Sequence, residues 1–190
     1  MQLTVKGKHL DVGDALREHV QTNLTHTTEK YFRDSVEATV TFTKEKNHRY
    51  KADISVHVGR GMVLAATYEA DDPYPAFDVA SQRIAKRLSR YKEKVRDHHR
   101  HEDAAEMLNA AYTTFQANED EPEGGQEPAI IAELQMQVPT LAVSDAVMRL
   151  ELGDMPALLF KNPAHGGYNM VYRRKDGNIG WVDPDGAKKA

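Results

Sequence analysis

"YKADISVHVGRGMVLAATYEA", residues Tyr50–Ala70, is two alternating runs joined by a glycine-rich turn. Tyr50, Ala52, Ile54, Val56 and Val58 fall on one face, and Met62, Leu64, Ala66, Tyr68 and Ala70 repeat the period beyond Gly59-Arg60-Gly61. A period of two with one apolar face is the pattern of a half-buried strand, so the stretch predicts an antiparallel hairpin. Val36, Ala38, Val40 and Phe42, alternating with Glu37, Thr39, Thr41 and Thr43, add a strand upstream and complete a three-stranded meander. Leu3 and Val5 in "QLTVKGK" share one face of a further strand at the N-terminus.

Working outward, the period changes to that of a helix on either side of the meander. Val12, Ala15, Leu16, Val20 and Leu24 recur at helical spacing after Asp11, which is placed to cap the helix N-terminus. Phe77, Ala80, Ile84, Leu88, Tyr91 and Val95 do the same after the last strand. The order is β-α-β-β-β-α. One sheet whose apolar face is covered by two helices is the economical packing, an α+β two-layer sandwich like that of double-stranded-RNA-binding domains, over residues 1–101.

The remainder of the 190 residues is organised differently. Net charge is +4 over residues 1–101, −8 over 102–128 and zero over 129–190. "NEDEPEGGQEP", residues 118–128, holds too little apolar surface to offset the entropy of ordering it, and 102–128 reads as an acidic flexible linker. Just before it Met107, Leu108, Ala111, Tyr112 and Phe115 stand at near-helical spacing, as an amphipathic linker segment or a short docking helix. Residues 129–190 form a second, small β-rich α+β domain: strands at "AIIAELQM", "ALLFKN", "YNMVYR" and "IGWV", a short helix through Ala146, Val147 and Leu150 ended by Gly153, and a tight hairpin turn at "KDGN". So small a core seldom supplies more than roughly 3–5 kcal/mol, and a second copy is one remedy. Phe160, Tyr168, Met170, Tyr172 and Trp181 are more large apolar side chains than one helix and a few strands cover. Some of them make the core, and others are expected to make a homodimer interface.

The charge of the first domain has a direction. "RIAKRLSRYKEKVR", Arg83 to Arg96, carries seven Lys or Arg and one acid. At about 100° per residue Arg83, Lys86, Arg87, Arg90 and Lys94 form a ridge beside the buried stripe of the helix. A ridge of like charge repels itself unless an anion relieves it, which points to nucleic-acid phosphates. Aromatic platforms for stacking single-stranded bases are sparse, so the ridge is suited to phosphates and shape more than to base sequence.

Several chemistries find no motif here. Zero cysteines rule out disulfides, thiol catalysis and thiolate metal sites. No stretch approaches the roughly 20 apolar residues of a membrane span, and the N-terminus lacks a signal-like apolar core, so the expectation is a cytoplasmic protein with no membrane partner. His98 and His101 are one helical turn apart with His99 between them, but a zinc site needs a third ligand and an ordered frame. P-loop, G-x-S-x-G and H-E-x-x-H patterns are missing, so neither an enzyme, a small-molecule substrate, a cofactor nor a metal is expected.

Three segments in order, "GKHLDVGDALREHVQTNL", "YEADDPYPAFDVASQRIAKRLSRYKEKV" and "NMVYRRKDGNIGWVDP", resemble the long form of the bacterial ribosome hibernation promoting factor. The resemblance implies that the first domain sits in the small-subunit channel of messenger and tRNAs, contacts rRNA and stops translation. It also implies that the second domain pairs with its copy on another ribosome in stationary phase. Lys86, Arg87 and Arg90 match the family's RNA-contacting helix, and helical phase adds Arg83 and Lys94. On the first helix the family's cluster of cations is replaced by Asn23, His26 and Thr27 ahead of Lys30 and Arg33, which makes Lys30 the remaining rRNA candidate there. The family's basic strand opening the second domain is here apolar, with Ala132, Leu134 and Gln135. The other reading of the same residues is a general double-stranded RNA-binding module whose tail recruits a protein.

Overall fold

The computed structural model describes residues 2–32, 36–45, 48–58, 62–95, 107–115, 129–184 and 186. The first unit runs β1 (Gln2–Lys8), α1 (Asp14–Glu29), β2 (Val36–Lys44), β3 (Tyr50–Val58), β4 (Met62–Ala70) and α2 (Pro73–Arg90). Its sheet has the order β1-β2-β3-β4, with β1 parallel to β2 and the others antiparallel. The register sets Val5 opposite Val40, Val40 opposite Ile54, and Ile54 opposite Ala66, so the apolar positions read from the alternation lie in rows on one face. Both helices cover that face. Leu16, Val20 and Leu24 of α1 and Phe77, Ala80, Ile84 and Leu88 of α2 are buried with Phe42, Ile54, Val56 and Leu64 in one core.

Local chemistry explains the helix ends. Asp72 caps α2 by accepting from the Tyr74 amide at 2.9 Å, and Pro73 occupies the first turn, where its missing N–H costs nothing. At α1 the expected Asp11 cap is not used: the N-cap is Gly13 and the helix opens at Asp14. Val12 belongs to the buried core but precedes the helix, so its four-residue offset from Leu16 lengthened the apparent periodicity. A Cβ at Gly7 would run into the Leu10 carbonyl oxygen, so only glycine lets β1 turn so tightly into the loop before α1.

Residues 107–115, expected as linker or short helix, are strand β5 (Met107–Phe115), paired antiparallel with β6 (Ile130–Pro139) in a two-stranded ribbon. The acidic stretch 118–128 lies outside the described residues, as do the Gly59-Arg60-Gly61 turn and His98, His99 and His101. After β6 come α3 (Val143–Leu152), β7 (Ala157–Lys161), β8 (Tyr168–Arg173) and β9 (Ile179–Val182), the last three forming an antiparallel sheet. The "KDGN" turn is present: Gly177 adopts φ 85°, and the Arg174 amide donates to the Asn178 carbonyl at 2.8 Å.

Helix α3 is apolar on two sides. Ala146 and Leu150 join Leu141, Phe160 and Val171 in the core of the second unit, while Met148 and Leu152 are buried in the core of the first. These i, i+4 pairs point about 160° apart around the helix. One helix therefore belongs to both cores and holds the two units against each other.

Candidate nucleic-acid interface

Strand β4 is an edge of its sheet, and alternate carbonyls of an edge strand face away from their neighbours. Arginines cover them. Arg87 donates to Ala65 O at 2.8 Å, Arg83 to Thr67 O at 2.8 Å and Arg49 to Glu69 O at 3.1 Å. Arg83 also lies 4.7 Å from the centre of the Tyr68 ring, a cation–π distance. Two residues of the ridge therefore close a sheet edge as well as carrying charge. A guanidinium has five N–H donors, so each keeps others for a second partner.

The structure places Arg83, Lys86, Arg87 and Arg90 along α2, with Lys94 just beyond it. Lys86 is exposed and has no hydrogen bond or ion pair among the described residues. Lys30, exposed at the C-cap of α1, is not part of this cluster; its Nζ stands 5.8 Å from the Tyr31 ring centre. His26 is exposed, and Asn23 is turned to its own helix, donating to the His19 carbonyl at 2.9 Å.

Three ridge residues meet carboxylates that the sequence pattern does not single out. Arg87 donates to Asp154 Oδ1 at 2.6 Å, Arg90 to Glu151 Oε1 at 2.8 Å and Lys94 to Asp145 Oδ1 at 3.1 Å. The Tyr91 hydroxyl donates to Glu151 as well. All three acids lie on α3 or its C-terminal cap. The zero net charge of 129–190 concealed that these three acids converge on the ridge. Asp154 has φ 51°, and the Met155 amide donates to Leu150 O at 3.1 Å while the Asp154 amide reaches Glu151 O at 3.4 Å. This is a Schellman cap with Asp in the left-handed position where glycine is usual. The carboxylate so presented also accepts from Arg173 at 3.3 Å.

Partial burial pushes the Glu151 carboxyl up, but hydrogen bonds from Tyr91 and Arg90 and the charges of Arg90 and Arg173 outweigh it, leaving it below the usual carboxylate range. Burial, then the Glu151 hydrogen bond and charge, push the Tyr91 hydroxyl up to about 12. A depressed carboxyl contributes stability that is present above its unfolded pKa of about 4.3 and lost as pH falls through the lower folded value. Solvent screening limits that contribution to roughly 1 kcal/mol or less. The thermal midpoint is therefore expected to drop by about 2–4 °C or less through this group between about pH 5 and pH 3. In Glu151→Gln that part of the acid dependence should disappear, as measured by melts across the range.

The five aromatic and apolar candidates of the second unit separate. Phe160 is fully buried in the protomer's own core and is not available to a second copy. Trp181 sits opposite Val171 and donates to Asn169 Oδ1 at 2.9 Å, yet it remains about half exposed and stays available to a partner. Asn169 is itself buried, accepting also from Asn162 and donating to Asp183, so Trp181 closes a polar network. Tyr168, Met170 and Tyr172 lie on the outer face, where the register lines up Leu159, Met170 and Val182 across all three strands. Tyr172 covers Gly180, whose added Cβ would come within 2.5 Å of the ring. The alternation along β8 could not say which face was the inner one; the burial of Asn169 in place of a large apolar residue decided it.

Residues 3–96 match the family described as Sigma 54 modulation protein / S30EA ribosomal protein, and residues 125–180 match its C-terminal family. The ribosome hibernation promotion factor of Rhizobium meliloti is 38% identical over 96% of this chain and 97% of its own length. That of Bradyrhizobium diazoefficiens is 37% identical over 99% of this chain and 97% of its own. Among solved structures, the N-terminal domain of Thermus thermophilus Protein Y matches 48% of this chain and 99% of its own, at 25% identity and a TM-score of 0.43. With both domains matched in order, the chain belongs to the ribosome hibernation promotion factor family, in its long form.

Proposed function

We propose that this ribosome-associated hibernation factor holds translation off by seating its first unit on the small ribosomal subunit, in the channel of messenger and tRNAs, with α2 against rRNA. The observation that carries the reading is the ridge of Arg83, Lys86, Arg87, Arg90 and Lys94 on one side of α2 and its extension. Guanidinium and ammonium groups so placed can track a phosphate backbone without reading bases. The second unit joins one ribosome to another through the outer face of β7-β8-β9. Leu159, Tyr168, Met170 and Val182 are all exposed there. An apolar row facing solvent on so small a domain is suited to a self-complementary partner. Such a protein works where ribosomes are, in the cytoplasm, and no helix among the described residues is long and apolar enough to cross a membrane.

Sedimentation of purified ribosomes with the full chain tests this. Conversion of single ribosomes into pairs, together with loss of cell-free translation, is the expected result. Binding to duplex RNA and to ribosomes without pairs would instead support an RNA-binding module whose tail recruits a different protein.

A further inference from the structure

The surface assigned to RNA is already occupied. Asp154, Glu151 and Asp145 take charged donors from Arg87, Arg90 and Lys94, at positions that span about 10 Å of helix at 1.5 Å per residue. Asp145 and Glu151, about 120° apart around α3, and Asp154 just past its C-terminal end present three carboxylates to successive cations of one ridge, as the phosphates of a nucleic-acid strand would. The Arg87 side chain is left 21% exposed, so RNA cannot reach its guanidinium fully while α3 is in place.

We infer that α3 is an internal phosphate mimic, which keeps the free protein latent by occupying the RNA-binding ridge until rRNA displaces it. The inference rests on the reading of that ridge as the rRNA surface. Displacing α3 would also uncover Met148 and Leu152, which lie in the first unit's core, so opening costs apolar burial as well as ion pairs. Three features nonetheless fit a latch. Asp154 occupies a left-handed position that glycine would fill with less strain, and what aspartate adds there is the carboxylate on Arg87 and Arg173. The ion pairs are partly exposed, hence weak and exchangeable for phosphate in salt water. Finally, Arg83 and Lys86 remain outside the contact and have no carboxylate partner among the described residues. They give rRNA a place to land before the inner cations are released, so closure lowers the apparent affinity without blocking encounter.

If the closed form is favoured about tenfold, the apparent affinity for RNA is reduced about tenfold, because only the open fraction binds. The absence of native cysteines allows dyes to be placed on Ser89→Cys in α2 and Ala164→Cys in the second unit, both exposed positions, in the full chain. Energy transfer is then followed as purified small ribosomal subunits are added. The expected result is a fall in transfer on binding. A full chain carrying Asp145→Asn, Glu151→Gln and Asp154→Asn should show lower transfer before any subunit is present and should bind about tenfold more tightly. Should that variant lose its far-UV circular dichroism, Asp154→Gly alone, which relaxes the backbone, must show the same shifts in smaller measure. Unchanged transfer and affinity in the acid variants, with binding still weakened by Arg83→Ala and Lys86→Ala, overturns the latch and leaves the rRNA surface standing. Affinity and salt slope that ignore Arg83→Ala and Lys86→Ala overturn both.

Discussion

Met170→Glu is expected to bind ribosomes one at a time and to yield no ribosome pairs in a sucrose gradient. Met170 is exposed in the protomer, at the centre of the row Leu159–Met170–Val182, so a glutamate there meets water and costs the folded monomer little. In a two-fold dimer the same residue occurs on both sides of the axis, so two carboxylates lose water together near the middle of an apolar contact. Burying an unpaired charge costs several kcal/mol, which corresponds to a loss of roughly 10³-fold or more in the association constant. Phe160→Ala provides the contrast. It empties the centre of a five-residue core and costs about 3–5 kcal/mol, as much as so small a domain is expected to hold. That variant should lose pairing because its second unit unfolds, with a matching loss of circular dichroism, whereas Met170→Glu should lose it while folded. Pairs formed normally by Met170→Glu would show that another surface joins the ribosomes, and the exposed apolar residues of the β5–β6 ribbon, including Tyr112, Ile131 and Leu134, would be next in line.

Arg83→Ala with Lys86→Ala is expected to weaken binding to small subunits by about 10- to 100-fold at physiological salt. It should also reduce the slope of log affinity against log salt by about one for each phosphate that is no longer neutralised. These two cations are the informative pair because neither pairs with a carboxylate of α3 among the described residues. The inner pair behaves differently: Arg87→Ala with Arg90→Ala removes the cations that would meet phosphate and the bonds to Asp154 and Glu151 together, so its gain from opening offsets part of its loss. Each pair also withdraws one donor from the sheet edge, Arg87 from Ala65 O and Arg83 from Thr67 O, at a stability cost of about 1 kcal/mol. A double mutant at 87 and 90 that binds better than one at 83 and 86 is therefore consistent with a covered ridge. An unchanged salt slope in the outer double mutant would place the rRNA contact on another surface.

What the sequence determined by itself is what depends on neighbours along the chain. The alternation in β2, β3 and β4 specifies a buried and an open face because successive side chains of a strand point to opposite sides, and the observed register aligns those residues in rows. Phe77, Ala80, Ile84 and Leu88 specify the buried stripe of α2, and with it the angular position of the cations beside it. "KDGN" specifies a tight turn because Gly177 takes positive φ without a Cβ penalty. Tertiary structure decided the rest. Met107, Leu108, Ala111, Tyr112 and Phe115 suit a helix by spacing, yet the segment is a strand, because β6 offers hydrogen-bond partners along its whole length that an isolated short helix lacks. Met148 and Leu152 are apolar on the side of α3 opposite Ala146 and Leu150, which has meaning only once a second core lies against that side. Most of all, the acids that meet the ridge are 51 to 67 residues away from it in sequence. Coulomb attraction acts through space and is blind to sequence separation, so local pattern could show that α2 needs an anion, while only the packing of α3 could show which anion holds the place in the free chain.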